Sequence, residues 1–345
     1  MEKRIANILT GKNVAVTGAT GMVGQELVRQ LVDSEATIRL VVRNRAKMES
    51  LLSDWTGKRP EIVECELTNP VELKTAFEGI DIVFHCAAAV SFKLDPDDEM
   101  VRANTDITHH VVNACLDAKV GRLVHMSSIA ALGEPNEQGI ITTDSHPDTV
   151  SGWTGYSLSK FYSENEVWRG IQYGLEAVIV NPSIILGHGD WNGIGSSGLF
   201  GALAAGIPFY VPGVNGYVDV RDVATAMILL AVSPQAPGHR YILSGANLSY
   251  KELITLIVES VGKKPPRWNV GEKGLNAARK LENGWARLRG KEPRLTEGLV
   301  KAALGVSIYD GDAVKQVIDF DYRPIRETMK YMAEGYLKDK KEKRK

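Results

Sequence analysis

Apolar residues along this chain come in short, near-continuous runs separated by stretches with helical spacing. The first run, Val14 to Thr17 in "KNVAVTG", is β-branched and stops at Gly18. Leu27, Val28 and Leu31 then share one helical face, and a second apolar run, Ile38 to Val42, follows at the distance a β-α-β crossover needs. Four further runs follow: "EIVECEL" (61–67), "DIVFHCAAAV" (81–90), "RLVHMSSIA" (122–130) and "LEAVIVNPSIILG" (175–187). Strands that are apolar throughout and alternate with helices predict a parallel sheet covered on both faces. After residue 187 the pattern changes. A Gly- and aromatic-rich stretch (187–217) is followed by "SYKELITLIVESVG" (249–262), a helix capped by Ser249, and by "GLVKAALG", a second helical segment.

The turn after the first strand holds Gly18, Gly21 and Gly24, a G-x-x-G-x-x-G spacing between a strand and an amphipathic helix. A dinucleotide site needs a sharp bend, backbone that can approach a pyrophosphate, and free N–H groups at a helix start, and glycines at these three places meet those needs. At the end of the second strand, NAD sites place an acidic side chain for the ribose hydroxyls, whereas a cation suits a 2'-phosphate. Here stand Arg43, Arg45 and Lys47, with no acid before Glu49, so the expected cofactor is NADP (NADPH) rather than NAD. The expected fold is α/β: a doubly wound parallel-sheet Rossmann fold with a smaller, mainly helical C-terminal substrate lobe. Residues 1–186, completed near 217–245, form the NAD(P)-binding part. Residues 187–216 and 246–336 form the lobe, and 337–345, "LKDKKEKRK", reads as a disordered basic tail.

Composition narrows the function classes. The chain has 345 residues and a formal net charge of −1, so no global field recruits nucleic acid or anionic membrane. Cys65, Cys86 and Cys115 sit inside apolar or helical patterns, without a C-x-x-C pair or clustered His, and read as small buried hydrophobes in a reducing compartment, with no metal site. The N-terminus lacks a continuous apolar stretch and no run is long enough to span a bilayer, so a cytoplasmic protein without stable membrane insertion is expected. His109 and His110 read as ordinary helix residues, and the Arg- and Lys-rich run from Arg279 to Arg294 as a solvated helix.

The stretch "TGYSLSKFYSE" (154–164) sets Tyr156 and Lys160 one helical turn apart. Alone that spacing says little. In a parallel sheet, however, ligands sit beyond the carboxyl ends of the strands. Ser127 and Ser128 end the run "RLVHM", and Asn181 and Pro182 lie in the next one, so Ser128, Tyr156 and Lys160 are placed to converge there.

These motifs resemble the extended short-chain dehydrogenase/reductase family: "TGATGMVG" (17–24), "HCAA" (85–88), "MSSIAALG" (126–133), "YSLSK" (156–160), "NPSIILG" (181–187) and "VDVRDVA" (218–224) appear in the family's order. The branch most similar holds dihydroflavonol reductases and 3β-hydroxysteroid dehydrogenases. The resemblance implies Tyr156 as general acid towards a carbonyl oxygen, Lys160 as the ligand of the nicotinamide ribose that makes the tyrosine a better acid-base group near neutrality, and Ser128 as the donor that polarises the carbonyl. Negative charge grows on that oxygen as hydride arrives, so placed donors stabilise the transition state above the ground state. The resemblance also puts cofactor contacts at Gly18, Thr20, Gly21, Met22 and Val23 of the first motif, at Arg43 and Lys47, at Glu66 and Leu67, at Ala87 and Ala88, at Tyr156 and Lys160, and at Pro182, Ile184 and Ile185.

Two departures stand out: Glu66 replaces the family's Asp at the adenine edge, and Ile107 replaces the glycine of its N-x-x-G-T pattern in "VRANTDITHH". Dehydratases of the same scaffold follow the catalytic hydroxyl residue with Asp-Glu, whereas Ser128 is followed by Ile129 and Ala130. An NAD-retaining sugar-nucleotide epimerase stays open as an alternative, because Asn181 before Pro182 resembles its nucleotide-diphosphate contact; so does a non-catalytic dinucleotide-sensing regulator. The expected partner is a small apolar carbonyl compound, with Phe92, Trp191, Phe209 and Tyr210 as walls of its cavity. Family members dimerise through two helices, which makes a homodimer the expectation by resemblance.

Overall fold

The computed structural model describes residues 7–32, 34–53, 55–88, 98–193, 195–289 and 297–343. In chain order the strands are β1 (Asn13–Thr17), β2 (Thr37–Val42), β3 (Glu61–Glu64), β4 (Ile82–His85), β5 (Arg122–Met126), β6 (Ile140–Ile141) and β7 (Ala177–Pro182). They continue with β8 (Ile184–Leu186), β9 (Phe209–Tyr210), β10 (Val214–Asp219), β11 (His239–Leu243), β12 (Ala246–Ser249), β13 (Trp268–Asn269) and β14 (Ile308–Tyr309). The helices are α1 (Met22–Val32), α2 (Arg45–Leu51), α3 (Pro70–Phe77), α4 (Asp98–Asp117), α5 (Gly155–Gln172) and α6 (Ser196–Ala204). After them come α7 (Val220–Val232), α8 (Tyr250–Ser260), α9 (Glu272–Leu288), α10 (Glu297–Leu304) and α11 (Ile325–Glu342).

Seven strands form one sheet in the order β11-β7-β5-β4-β1-β2-β3, every neighbouring pair parallel. This is the doubly wound Rossmann fold. Strand order reverses at β1, which pairs with β2 from Asn13↔Thr37 and with β4 from Val14↔Ile82, and the crevice above that switch point is where such sheets take ligands. Side chains alternate between the faces. Val14, Val16, Leu40, Phe84 and Val124 face Leu27 and Leu31 of α1 and Val223 and Met227 of α7. Ala15, Val41, Val83, Leu123 and Ile179 face Phe77 of α3, Val111 and Cys115 of α4 and Val167 of α5. Two buried faces explain why the strands read as apolar throughout. The run 175–187 is broken after Pro182, where Ser183 turns its N–H to Leu243 O at 2.9 Å and the chain leaves the main sheet for β8.

β8, β10 and β12 make a second, three-stranded sheet, β10 parallel to β8 and antiparallel to β12; β13 pairs with β9 and β14 with β6. Around it Leu186, Trp191, Phe200, Tyr217, Leu253 and Met332 form a separate apolar core. The expected cap of α8 is a full capping box: Ser249 Oγ accepts from the Glu252 N–H at 3.2 Å, and the Glu252 carboxylate accepts from the Ser249 N–H at 2.9 Å.

One expectation is corrected here. Residues 337–342 are not a disordered tail but the last turns of α11. Met329, Met332 and Ala333 bury one face of that helix, Tyr336 meets the rings of Trp191 and Phe200 edge-on at 5.8 Å, and Asp339 Oδ2 accepts from Trp191 Nε1 at 2.8 Å. The lysines read as a solvated tail are the outer face of an anchored helix. Among the described residues, no helix is long and apolar enough to cross a membrane.

Candidate active site

The first wall of the site is the turn between β1 and α1. Gly18 has φ +72°, and a Cβ there would lie 2.5 Å from Ala87 N and from Cys86 C, at the end of β4. A Cβ on Gly24 would meet Gly18 O at 2.2 Å, so the start of α1 rests directly on the turn. Beside the turn opens a cavity of about 420 Å³, within the usual range for small-molecule sites. Of the residues expected at the cofactor, Gly18, Thr20, Gly21, Arg43, Lys47, Glu66, Leu67, Ala87 and Ala88 line it together. Met22 and Val23 do not line this cavity: Val23 is buried in the core, and Met22 packs towards Gly187. Tyr156, Lys160, Pro182, Ile184 and Ile185 also lie off it, on α5, at the end of β7 and on β8.

Eight lining residues were not among those expected, Asn44, Thr68, Ala103 and Ile107 among them. Asn44 had a readable signal, because it caps α2 by accepting from the Lys47 N–H at 2.8 Å, and an Asn ahead of a helix is a common cap. Ile107 is the residue that replaced the family glycine, and in the structure it becomes cavity wall beside Ala103 one turn earlier.

The cations at the β2 end separate into two groups. Arg45 is committed to the protein: its guanidinium donates to Ile62 O at 2.5 Å and pairs with Glu49 at 3.6 Å. Arg43 and Lys47 are exposed and have no side-chain hydrogen bond or ion pair among the described residues. The carboxylate of Glu66 is the acidic group of the lining, at the end of β3 rather than β2.

The second wall is α5, capped by Thr154, whose Oγ1 accepts from the Ser157 N–H. Tyr156 is half-buried on its first turn, and Lys160 is 6% exposed one turn on. Lys160 Nζ donates to Met126 O, at the end of β5, at 3.2 Å. Two residues later, Ser128 Oγ accepts from the Ala130 N–H at 3.2 Å, against a short turn on which α5 packs. A hydroxyl that accepts there keeps its own hydrogen to donate. Asn181 is fully buried, and its Nδ2 donates to Ser128 O at 3.0 Å and to Glu164 Oε2 at 2.9 Å. In α4, Asn104 Nδ2 donates to Ser159 Oγ at 3.3 Å.

The residues expected to wall a substrate cavity divide. Trp191 is buried against Phe200 and Tyr336 and belongs to the lobe's own core, so it is corrected from cavity wall to packing residue. Phe209 is exposed, the Tyr210 ring centroid lies 5.1 Å from Lys251 Nζ, and Phe92 falls outside the described residues. His109 is held by Glu166 and Asn113, as an ordinary helix residue would be. All three cysteines are buried and unpaired; burial pushes the Cys65 thiol up to about 11 and the Cys86 thiol up to about 12. Thiols so perturbed are inert near neutrality.

Residues 14–244 match the family model described as the NAD dependent epimerase/dehydratase family. Cinnamoyl-CoA reductase 1 of Petunia hybrida is 31% identical over 263 residues, 72% of this chain and 77% of that protein. A putative dihydroflavonol 4-reductase of Synechocystis sp. (strain ATCC 27184 / PCC 6803 / Kazusa) is 30% identical over 260 residues, 73% of each. The crystal structure of gox2253 superposes with a TM-score of 0.79 at 29% identity, covering 95% of this chain and 99% of that one.

Proposed function

Because this chain belongs to the NAD dependent epimerase/dehydratase family, and within it to the NAD(P)-dependent oxidoreductases that act on carbonyl and alcohol groups, we propose that it is an NADPH-dependent reductase of an apolar ketone or aldehyde, reversible as a secondary-alcohol dehydrogenase. The observation that carries the cofactor choice is the pair Arg43 and Lys47, without side-chain partners among the described residues, at the β2 corner of the cavity where NAD sites keep a carboxylate. The residues fit the group: the tight glycine turn brings backbone to the cavity wall ahead of the start of α1, and two exposed cations line the same cavity, as a 2'-phosphate would require. The reading assigns residues 1–186 and 217–245 to cofactor binding, and 187–216 and 246–336 to the substrate lobe.

Bound there, NADPH supplies the hydride to the carbonyl carbon. Tyr156 gives its phenolic proton to the carbonyl oxygen, and Ser128 donates the hydrogen that its contact with Ala130 leaves available. One such donor is worth on the order of 10²–10³ in kcat. Lys160 spends one of its three N–H donors on Met126 O, and the others are assigned to the ribose hydroxyls. Against the epimerase alternative, Asn181 is fully buried and its amide nitrogen is committed to Ser128 and Glu164, with only its Oδ1 lacking a protein partner among the described residues.

Calorimetry of NADPH and NADH on the wild type and Arg43→Ala tests the reading, with consumption of NADPH against a panel of ketones and aldehydes as its second arm. NADPH is expected to bind at least ~10-fold more tightly, and the substitution to remove most of that margin, since a hydrogen bond to a charged group contributes about 1.5–3 kcal/mol and an exposed Arg lies at the low end. Tighter NADH, or copurified NAD that does not exchange, overturns it in favour of the epimerase. Binding without turnover of any carbonyl overturns it in favour of the sensor.

A further inference from the structure

Behind Ser128 lies a buried polar cluster that the reaction does not touch. Glu164, 2% exposed on α5, accepts at Oε2 from Ser127 Oγ at 2.8 Å and from Asn181 Nδ2 at 2.9 Å, and at Oε1 from Arg240 of β11 at 3.1 Å and from Trp168 Nε1 at 3.4 Å. Arg240, 7% exposed, spends its other donors on Thr143 O at 2.6 Å and Ser145 O at 2.9 Å, with a further contact to His146 Nδ1 at 3.4 Å. A buried ion pair is expensive to desolvate, and apolar packing of the same volume is often at least as stable. Its presence here therefore calls for a reason other than stability, and the geometry supplies one.

Tyr156, Lys160 and Glu164 stand four residues apart on one face of α5. Three consecutive residues at the end of β5 are tied to that face: Met126 O to Lys160, Ser127 Oγ to Glu164, and Ser128 O to Asn181, whose same nitrogen is held by Glu164. Ser128 and Tyr156 come from different elements, yet both must address one carbonyl oxygen. We propose that Glu164 is a positioning residue for hydride transfer: it sets the register of the β5 end against α5, so that the Ser128 hydroxyl stands where Tyr156 delivers its proton, while Arg240 balances its charge and clamps the 143–146 loop to the same point. The proposal rests on the reductase reading given above.

Glu164→Gln keeps the shape but has a single acceptor oxygen. It can face Arg240 or the Ser127–Asn181 pair, and in either case an amide N–H opposes a donor. The experiment measures NADPH affinity, thermal midpoint and carbonyl reduction for the wild type, Glu164→Gln, Ser128→Ala and the double variant, with cinnamaldehyde, acetophenone and cyclohexanone as probes. Misplacing a group by about 1 Å costs on the order of 10²-fold, so kcat of Glu164→Gln is expected to fall roughly 10- to 100-fold. NADPH affinity should fall far less than kcat, because the Arg43 cavity is built from other elements and only the Lys160 contact shares the α5–β5 seam. In the Ser128→Ala background the same change should cost much less, since its target has gone. Ser127→Ala, which removes one tie and no charge, should lose activity in the same direction, and it carries the test if Glu164→Gln does not fold.

Full kcat in both Glu164→Gln and Ser127→Ala overturns the inference, as does additivity of Glu164→Gln with Ser128→Ala. A wild type that consumes no NADPH with any probe overturns the reductase reading itself. A wild type that turns over, beside an unimpaired Glu164→Gln and an unimpaired Ser127→Ala, overturns the positioning role alone.

Discussion

Replacing His125 with Phe should remove a specific part of the protein's sensitivity to acid. His85 and His125 face each other across β4 and β5, in register, with ring centroids 5.2 Å apart, and both are buried. His85 Nδ1 and Nε2 contact Thr17 Oγ1 at 2.7 Å and Thr108 Oγ1 at 3.4 Å, while neither nitrogen of His125 has a protein partner among the described residues. Burial first, then the charge of Lys160, holds His85 down at about 3; burial, His85 and Lys160 hold His125 well below its usual value. The folded state thus refuses protons that the unfolded chain accepts below pH ~6.5. Stability is complete above that pH and drains away as pH falls from 6.5 towards the folded values. Between pH 7 and 5 each ring accounts for a loss of about 2 kcal/mol, roughly 4 kcal/mol for the pair. Urea unfolding of wild type and His125→Phe at the two pH values measures this. The variant should lose about 2 kcal/mol less than the wild type, and any packing change from the larger ring cancels because it is present at both pH values. An identical pH dependence in the two proteins would refute the argument that His125 is buried in its neutral form.

Two further perturbations address the glycine turn and the C-terminal helix. Gly24→Ala drives a methyl group to 2.2 Å from Gly18 O and should lower both the thermal midpoint and NADPH affinity, the latter ~10-fold or more, whereas Gly21→Ala, at 3.3 Å from the same oxygen, should fold with a near-normal midpoint. Equal midpoints for the two variants would contradict the packing role of Gly24. Asp339→Ala leaves the buried Trp191 indole N–H without its acceptor and should cost about 1–3 kcal/mol in urea unfolding, read by tryptophan fluorescence; no change would mean that the last turns of α11 do not anchor the lobe.

Much of the fold was legible because it rests on short-range rules. Gly18 and Gly24 are required by contacts with Cys86, Ala87 and Gly18 itself, all close to strand ends that the apolar runs already marked. The i,i+4 spacing put Lys160 under Tyr156, and the run "RLVHM" put its acceptor, Met126 O, at the end of β5. Strand ends were less legible. "EIVECEL" and "DIVFHCAAAV" yield only four residues of ladder each, because the loops that follow are themselves apolar where they line the cavity or enter the core. Trp191 was misread for a related reason: an aromatic in a glycine-rich stretch looks the same whether it faces a ligand or a helix whose contact residue, Asp339, lies 148 residues on.

What composition hid, periodicity over a longer window would have shown. Read alone, "LKDKKEKRK" has too few apolar residues to pack. Read from Ile325, the same chain continues the spacing Met329, Met332, Ala333 and Tyr336 by one more step to Asp339, whose carboxylate lands on Trp191. The Glu164–Arg240 pair has no such remedy. Glu164 continues the stripe of Tyr156 and Lys160 and could be suspected of facing the same way, but Arg240 sits in the strand "HRYIL", 76 residues on, and becomes its partner only because β11 is added beside β7 in the sheet. Strand order is a property of the whole chain, so the groups proposed to touch the reacting atoms could be read locally, while the group proposed to hold them in register could not.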